Sequence, residues 1–153
     1  MSDFNFVLNS LWPELVERFE SGLPQVFSAG NPDQFHNNYI TIVDFIKKLE
    51  SVAALNSSES CEEFRKVSQN FIHRWNLSVY FQIRFQEIGG PVEEACQELF
   101  APTSNQKFHL RASEAVMEAV DNCWKSNVFL KPLTNKFWKL TLQIIARFVK
   151  NFQ

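Results

Sequence analysis

The sequence predicts an all-α fold, a helical bundle of five to seven helices without a β-sheet. Two features of the chain indicate this fold class. Apolar residues recur every three or four positions over most of its length, which is the spacing that places them on one face of a helix. Residues that favour helix starts precede several of these stretches, and neither Asn-Gly nor Asp-Gly, the strongest short signals of a β-hairpin, occurs in the sequence.

The first two helices follow residues that cap helix starts. A helix capped by Ser10 holds Pro13 in its first turn, where a proline costs no intrahelical hydrogen bond, and is expected to end at Gly22. Asn31 caps the second helix, with Pro32 at its first position. Its predicted buried stripe, the most regular in the chain, comprises Phe35, Tyr39, Ile42, Ile46, Leu49 and Ala53.

The third helix is expected after the polar linker NSSES. Ser60 and Glu63 have the spacing of a capping box, in which each side chain bonds the other residue's backbone N–H. The predicted buried face of this helix comprises Phe64, Val67, Phe71 and Trp75.

The spacing of apolar residues in the next segment, residues 77–88, fits both a β-strand and an α-helix. Apolar and polar residues alternate over residues 79–86 as in a half-buried strand, yet Tyr80, Phe81 and Ile88 fall on one side of a helix. We predict a helix, because a lone strand among helices would leave its backbone polar groups without partners. The following Gly89-Gly90-Pro91 predicts a helix end or a kink of more than about 20°.

The last third of the chain is expected to form a loop and two helices. The loop APTSNQK precedes a helix whose shared face comprises Val116, Met117, Val120, Cys123 and Trp124. Pro132 is expected to open the final helix. On that helix the predicted core row is Phe137, Ile144, Ile145 and Phe148, and a second apolar row is Trp138, Leu142 and Val149.

The final helix is the candidate interaction site. Its polar residues form one narrow stripe that is basic or neutral. Three interpretations remain open: a core helix, a protein interface, or a membrane-surface helix. The candidate partner-binding residues are Trp138, Lys139, Leu142, Arg147, Val149 and Lys150, with the basic side chains steering an acidic partner.

Charge and composition exclude several functional classes. The net charge is −2, although no acidic residue follows Asp121 while six basic residues do, so nucleic-acid binding is not expected. The 16 phenylalanines and four tryptophans predict a large core, an interface, or both. No apolar stretch is long enough to cross a membrane, and the N-terminus does not resemble a signal peptide.

No catalytic, cofactor-binding or metal-binding residues are predicted. The chain lacks the phosphate-binding, nucleophile-elbow and zinc-protease motifs, and its three histidines and three cysteines have no metal-ligand spacing. The cysteines are expected to be reduced and to face the core. The acidic pairs Glu62-Glu63 and Glu93-Glu94 lie where helices are expected to begin, which favours a structural role. We therefore expect a protein that is not an enzyme.

Two long blocks, WNLSVYFQIRFQEI and KFWKLTLQIIARF, resemble the second subunit of the conserved oligomeric Golgi complex. The shorter blocks NSLWPEL, GLP, GNPDQFHNNY and CW followed by FL resemble the same family in the same order, so the resemblance covers most of residues 9–148.

The resemblance implies a peripheral, non-catalytic scaffold on the cytoplasmic face of the Golgi apparatus, acting in vesicle tethering and retrograde intra-Golgi transport. Its implied partners are other subunits of the tether, with SNAREs, small GTPases or golgins as further candidates. Because subunits of this family are several times longer, we expect residues 1–153 to be a single helical-bundle domain from the later part of such a chain. The alternatives are a membrane-surface protein and a ligand-binding bundle.

Overall fold

The computed structural model describes residues 6–98 and 100–151. These residues form six α-helices, and the only β-type pairing among them is an isolated bridge between Pro102 and Leu110. The prediction of an all-α fold is therefore confirmed, including the helix over residues 77–88. The helices are α1 (Trp12–Gly22), α2 (Pro32–Asn56), α3 (Ser58–Ile72), α4 (Leu77–Gln97), α5 (Arg111–Trp124) and α6 (Thr134–Lys150).

The chain divides into two compact units, Met1–Asn76 and Leu77–Gln153. The first contains α1, α2 and α3, and the second contains α4, α5 and α6. The expectation of one domain over residues 1–153 stays a prediction.

In the described part of the first unit, a π-helical turn, Val7–Leu11, leads directly into α1. The prediction that Ser10 caps this helix is wrong, because Ser10 lies within the turn and the α-helix follows Leu11 without a side-chain cap. Burial of Val7 favours the extra turn, since an apolar side chain gains from leaving water. The predicted end at Gly22 is confirmed.

The helices α2 and α3 pack against each other. The Asn31 side chain accepts a hydrogen bond from the backbone N–H of Gln34 at 3.1 Å, and all six residues of the predicted α2 stripe are buried. The α3 cap is Ser57 and not Ser60, because the Ser57 hydroxyl accepts from the Ser60 N–H at 3.0 Å. Phe64 and Phe71 are buried on α3 as expected, whereas Val67 is exposed and Ser68 is buried in its place.

Aromatic rings fill the core of the first unit. Trp75 follows α3, and its ring lies 5.2 to 5.6 Å from those of Phe27, Phe35 and Tyr39, measured between centroids. Trp12 meets Phe64 edge-on at 5.1 Å. Such tilted contacts are the geometry that the charge distribution of aromatic rings favours.

In the second unit, α4 continues through Gly89-Gly90-Pro91. The predicted helix end at the glycines is therefore wrong, and the predicted kink stays a prediction. A helical residue before proline normally clashes through its Cβ atom with the proline ring, and Gly90 has no Cβ. Pro91 is exposed, so the ring lies on the outer side of α4.

A buried hydrogen-bond network joins α4 to the loop between α5 and α6. The Tyr80 hydroxyl donates to the carbonyl oxygen of Val128 at 2.6 Å and accepts from Arg84 Nε at 3.2 Å. Arg84 also donates to the carbonyl of Asn127 at 3.4 Å and forms an ion pair with Glu87 at 2.9 Å. These bonds satisfy a buried guanidinium group and fix the loop from which α6 begins.

The last helix, α6, follows a 3₁₀ turn, Lys131–Leu133, that contains Pro132. It packs against α5 and α4. Its buried residues are Phe137, Leu140, Thr141 and Ile144. The predicted core row is thus right for Phe137 and Ile144 but wrong for Ile145, which is 42% exposed, while Phe148 is half-buried.

Candidate functional site

The helix α6 exposes a row of four apolar side chains. Trp138, Leu142, Ile145 and Val149 are 53%, 59%, 42% and 50% exposed. Their spacing of four, three and four residues places them within an arc of about 60° on a helix that turns 100° per residue. Three of them belong to the predicted second row, and Ile145 joins them. The row is separate from the buried face centred on Phe137, Leu140 and Ile144.

The neighbouring helix α5 extends this apolar surface. The rings of Trp124 and Trp138 lie 5.2 Å apart, and Trp124 Nε1 donates to the Thr141 hydroxyl at 3.2 Å. Since the end of α5 meets the start of α6, the two packed helices run in opposite directions. Met117 lies seven residues before Trp124, hence on the same side of α5, and is 48% exposed. We call the exposed side chains of Trp138, Leu142, Ile145, Val149 and Met117 the outer face.

Two lysines line the α6 edge of the outer face. Lys139 follows Trp138 and Lys150 follows Val149, so both point to the side of the row that is away from α5. Both are exposed, and neither forms an ion pair with a residue that the structure describes. They are therefore available to an anionic group on a partner.

Arg147 lies on a different side of α6, toward α4. Its guanidinium group binds both carboxylate oxygens of Glu93, with its shortest distances at 3.0 Å. These hydrogen bonds, and then the charge of Glu93, raise the pKa of Arg147. Of the six predicted partner-binding residues, five therefore lie on or beside the outer face, and Arg147 does not.

A groove of about 530 Å³ separates α4 from α6 between two cross-links. At one end Lys136 contacts the Phe81 ring and the Ser78 hydroxyl, and at the other Arg147 binds Glu93. The groove lining consists of Phe85, Gln86, Gly89, Gly90, Val92, Glu93, Leu140, Gln143, Ile144 and Arg147. Apart from the neighbouring residues in the chain and the backbone of α4 itself, a Cβ atom added at either glycine would meet no atom within 4 Å, so the glycines widen this space.

The remaining polar groups do not assemble a chemical site in the described residues. No group of three or more His, Cys, Asp or Glu side chains there is placed to hold a metal ion. All three cysteines are free, with Cys96 and Cys123 buried and Cys61 half-buried. Burial raises the pKa of the Cys123 thiol, which disfavours the reactive thiolate.

Sequence reasoning missed two members of the outer face. The sequence pattern predicts a core position for Ile145, although its spacing from Leu142 and Val149 also fits the exposed row. The same pattern predicts that Met117 shares a face of α5 with Val116 and Cys123, yet the structure buries those two and exposes Met117. A helical projection shows that Ile145 and Met117 could lie on these exposed sides, but it does not show where the neighbouring helix packs.

Residues 73–153 match the family described as COG complex component, COG2, C-terminal. The match thus begins just before the second compact unit and covers all of it. No solved structure matches the chain with significance.

Similar curated proteins are named conserved oligomeric Golgi complex subunit 2. The Homo sapiens protein is 38% identical over 147 residues, which cover 95% of this chain and 20% of that protein. The Drosophila melanogaster protein is 34% identical over 152 residues, 94% of this chain and 21% of that protein. The Arabidopsis thaliana protein is 32% identical over 152 residues, which cover 95% of this chain and 20% of that protein. The chain therefore spans about a fifth of the length of these relatives.

Proposed function

Because this chain belongs to the family of the C-terminal region of COG complex component COG2, we propose that it is a non-catalytic interaction module of the conserved oligomeric Golgi complex. In this role it holds no substrate. It presents protein surfaces on a rigid helical scaffold to other subunits of the tether.

The exposure of the apolar side chains of the outer face is the main support for this proposal. Five large apolar side chains lie together in water on two packed helices, which is unusual for a monomeric surface and typical of an interaction site. The ring contact between Trp124 and Trp138 and the bond from Trp124 to Thr141 fix these helices relative to each other. A prearranged apolar surface loses little conformational entropy when a partner covers it.

The site of action proposed for the whole protein is the cytoplasmic face of the Golgi apparatus, where it would be a peripheral component that supports vesicle tethering and intra-Golgi retrograde transport. The family membership and the names of the relatives support this location. Within residues 6–98 and 100–151, every helix is too short or too polar to cross a bilayer. Other tether subunits are the first expected partners, and SNAREs, small GTPases and golgins are further ones.

The test replaces Trp138 and Val149 with serine in the full-length protein. We expect other subunits of the complex to be recovered with the variant in much smaller amounts, because two of the four large apolar side chains that α6 contributes to the outer face are lost. The melting temperature of the isolated chain should fall only slightly, since both side chains are about half exposed and the hydrogen bond from Trp124 to Thr141 still joins α5 to α6.

A matched control replaces Phe100 and Val52 with serine. These are an aromatic residue and a valine outside the outer face, and they are 79% and 48% exposed. This control should retain the other subunits. Equal recovery with both variants would contradict the proposal. Loss of binding to anionic lipid vesicles with unchanged recovery of the subunits would instead identify the outer face as a membrane surface.

A further inference from the structure

The two edges of the outer face carry opposite charges. On the α6 side the edge is basic, with Lys139 and Lys150. On the α5 side Asp121 lies four residues after Met117, so a helix turning 100° per residue places it about 40° beyond Met117 and away from α6. Asp121 is exposed and forms no ion pair with a described residue. An apolar centre thus separates an unpaired basic edge from an unpaired acidic edge.

A second acidic group lies on the same α5 edge. Glu114 is seven residues before Asp121 and hence close to the same side of the helix. Thr103 and Asn105 donate hydrogen bonds to its carboxylate, so it is held in place by the loop before α5. This edge therefore carries two carboxylates, those of Glu114 and Asp121, and the Asp121 carboxylate is the more exposed of the two.

We infer that the outer face binds an amphipathic helix of another tether subunit that carries acidic residues on one edge and a basic residue on the other. This inference rests on the proposed function and names the chemistry of its partner. The acidic edge of the partner lies over Lys139 and Lys150, which are 11 residues or about 16 Å apart along α6. Its basic edge lies over Asp121, and its apolar side chains fill the space between.

This charge pattern fixes the orientation of the partner. Rotating the docked helix by 180° in the plane of the face would place acidic groups over Asp121 and basic groups over Lys139 and Lys150. Like charges opposed across an interface strongly disfavour that arrangement. A partner with acidic residues on both edges would also be opposed by Asp121.

The test measures how much of the other tether subunits is recovered with full-length protein carrying charge reversals. Lys139→Glu with Lys150→Glu should reduce recovery by about tenfold or more, because acidic groups then oppose acidic groups. Asp121→Lys should also reduce recovery. Since a cation in the last turns of α5 is favoured by the helix dipole, this loss would not come from unfolding.

A matched control reverses Lys48 and Lys66, two exposed lysines of the first unit, and should leave recovery unchanged. Increased recovery with Asp121→Lys would overturn the inference, because it would identify a purely acidic partner. Unchanged recovery with all charge variants, together with loss for the Trp138 and Val149 variant, would overturn the inference but keep the proposed function. A dimer of the isolated chain in sedimentation, abolished by Asp121→Lys, would overturn it in favour of a second copy.

Discussion

In the second unit, the side chains of Tyr80 and Arg84 determine the position of the loop between α5 and α6. The Tyr80 hydroxyl is fully buried and connects the carbonyl of Val128 to Arg84 through two hydrogen bonds. Since the loop after α5 sets the start of α6, this hydroxyl also sets the position of the outer face.

Tyr80→Phe should lower the free energy of unfolding by about 1 to 3 kcal/mol, because a buried carbonyl and a buried guanidinium group each lose a partner. Denaturant unfolding measures this difference. The control is Tyr39→Phe, since the Tyr39 ring is buried but its hydroxyl makes no hydrogen bond to a described residue. Equal losses for the two variants would contradict the importance of the Tyr80 network.

The Glu114 carboxylate makes stability depend on pH. Hydrogen bonds from Thr103 and Asn105 lower its pKa below the ordinary value of 4.5. A carboxyl whose pKa is lower in the folded state stabilises the fold above its unfolded pKa and loses this contribution as pH falls through the folded pKa.

Glu114→Gln should therefore be less stable than the unchanged protein at neutral pH, and the difference should shrink as the pH falls below about 4.5. Unfolding curves from pH 7 to pH 3 for both proteins give this comparison. A difference that stays constant over this range would show that the charge of Glu114 is not involved.

At the scale of elements, α4 tolerates three residues that usually destabilise a helix. Gly89→Ala should raise the free energy of unfolding by about 0.5 to 1 kcal/mol, because alanine loses less backbone entropy and its Cβ meets no atom within 4 Å. Gly90→Ala should gain less or destabilise, because its Cβ would clash with the ring of Pro91.

In a protein that already carries Pro91→Ala, Gly90→Ala should give the full gain of the alanine, since the clash is absent there. Thermal or denaturant unfolding of Gly89→Ala, Gly90→Ala, Pro91→Ala and the double variant tests this argument. Equal gains from Gly89→Ala and Gly90→Ala would show that the missing Cβ of Gly90 is not the reason why α4 continues.

Leucine side chains on the two sides of α6 differ sharply in their exposure to solvent. Leu140 is 2% exposed and Leu142 is 59% exposed. Leu140→Ala should cost about 2 to 5 kcal/mol of stability, because it leaves a cavity in the core. Leu142→Ala should change stability by no more than about 0.5 kcal/mol. If Leu142→Ala destabilised the isolated chain as much as Leu140→Ala, the outer face would be part of the core.

At the scale of the whole molecule, the two compact units allow a test of the expected single domain. A single domain should unfold in one cooperative transition, whereas two independent units should give two transitions or two sets of mutational responses. Calorimetry of the full chain and of residues 77–153 alone measures this. Because the helices and networks of the second unit are internal to it, we expect residues 77–153 to remain helical and to unfold cooperatively.

The sequence by itself determined the features that depend on neighbouring residues. The all-α class, the α2 stripe from Phe35 to Ala53 and the α6 row of Trp138, Leu142 and Val149 follow from the helical period, because side chains three or four residues apart share a face in any helix. Capping chemistry located the start of α2, since the bond from Gln34 to Asn31 spans only three residues.

Only the tertiary structure decided which apolar faces are buried and which charges are paired. Ile145 is exposed and Leu140 is buried because α5 and α4 approach α6 from particular directions. Arg147 binds Glu93, 54 positions away in the sequence, and therefore does not belong to the outer face. Met117 of α5 belongs to that face, and Asp121 of α5 lies at its edge. Helical periodicity fixes the angles between side chains on one helix, but the positions of the other helices determine what each side chain meets.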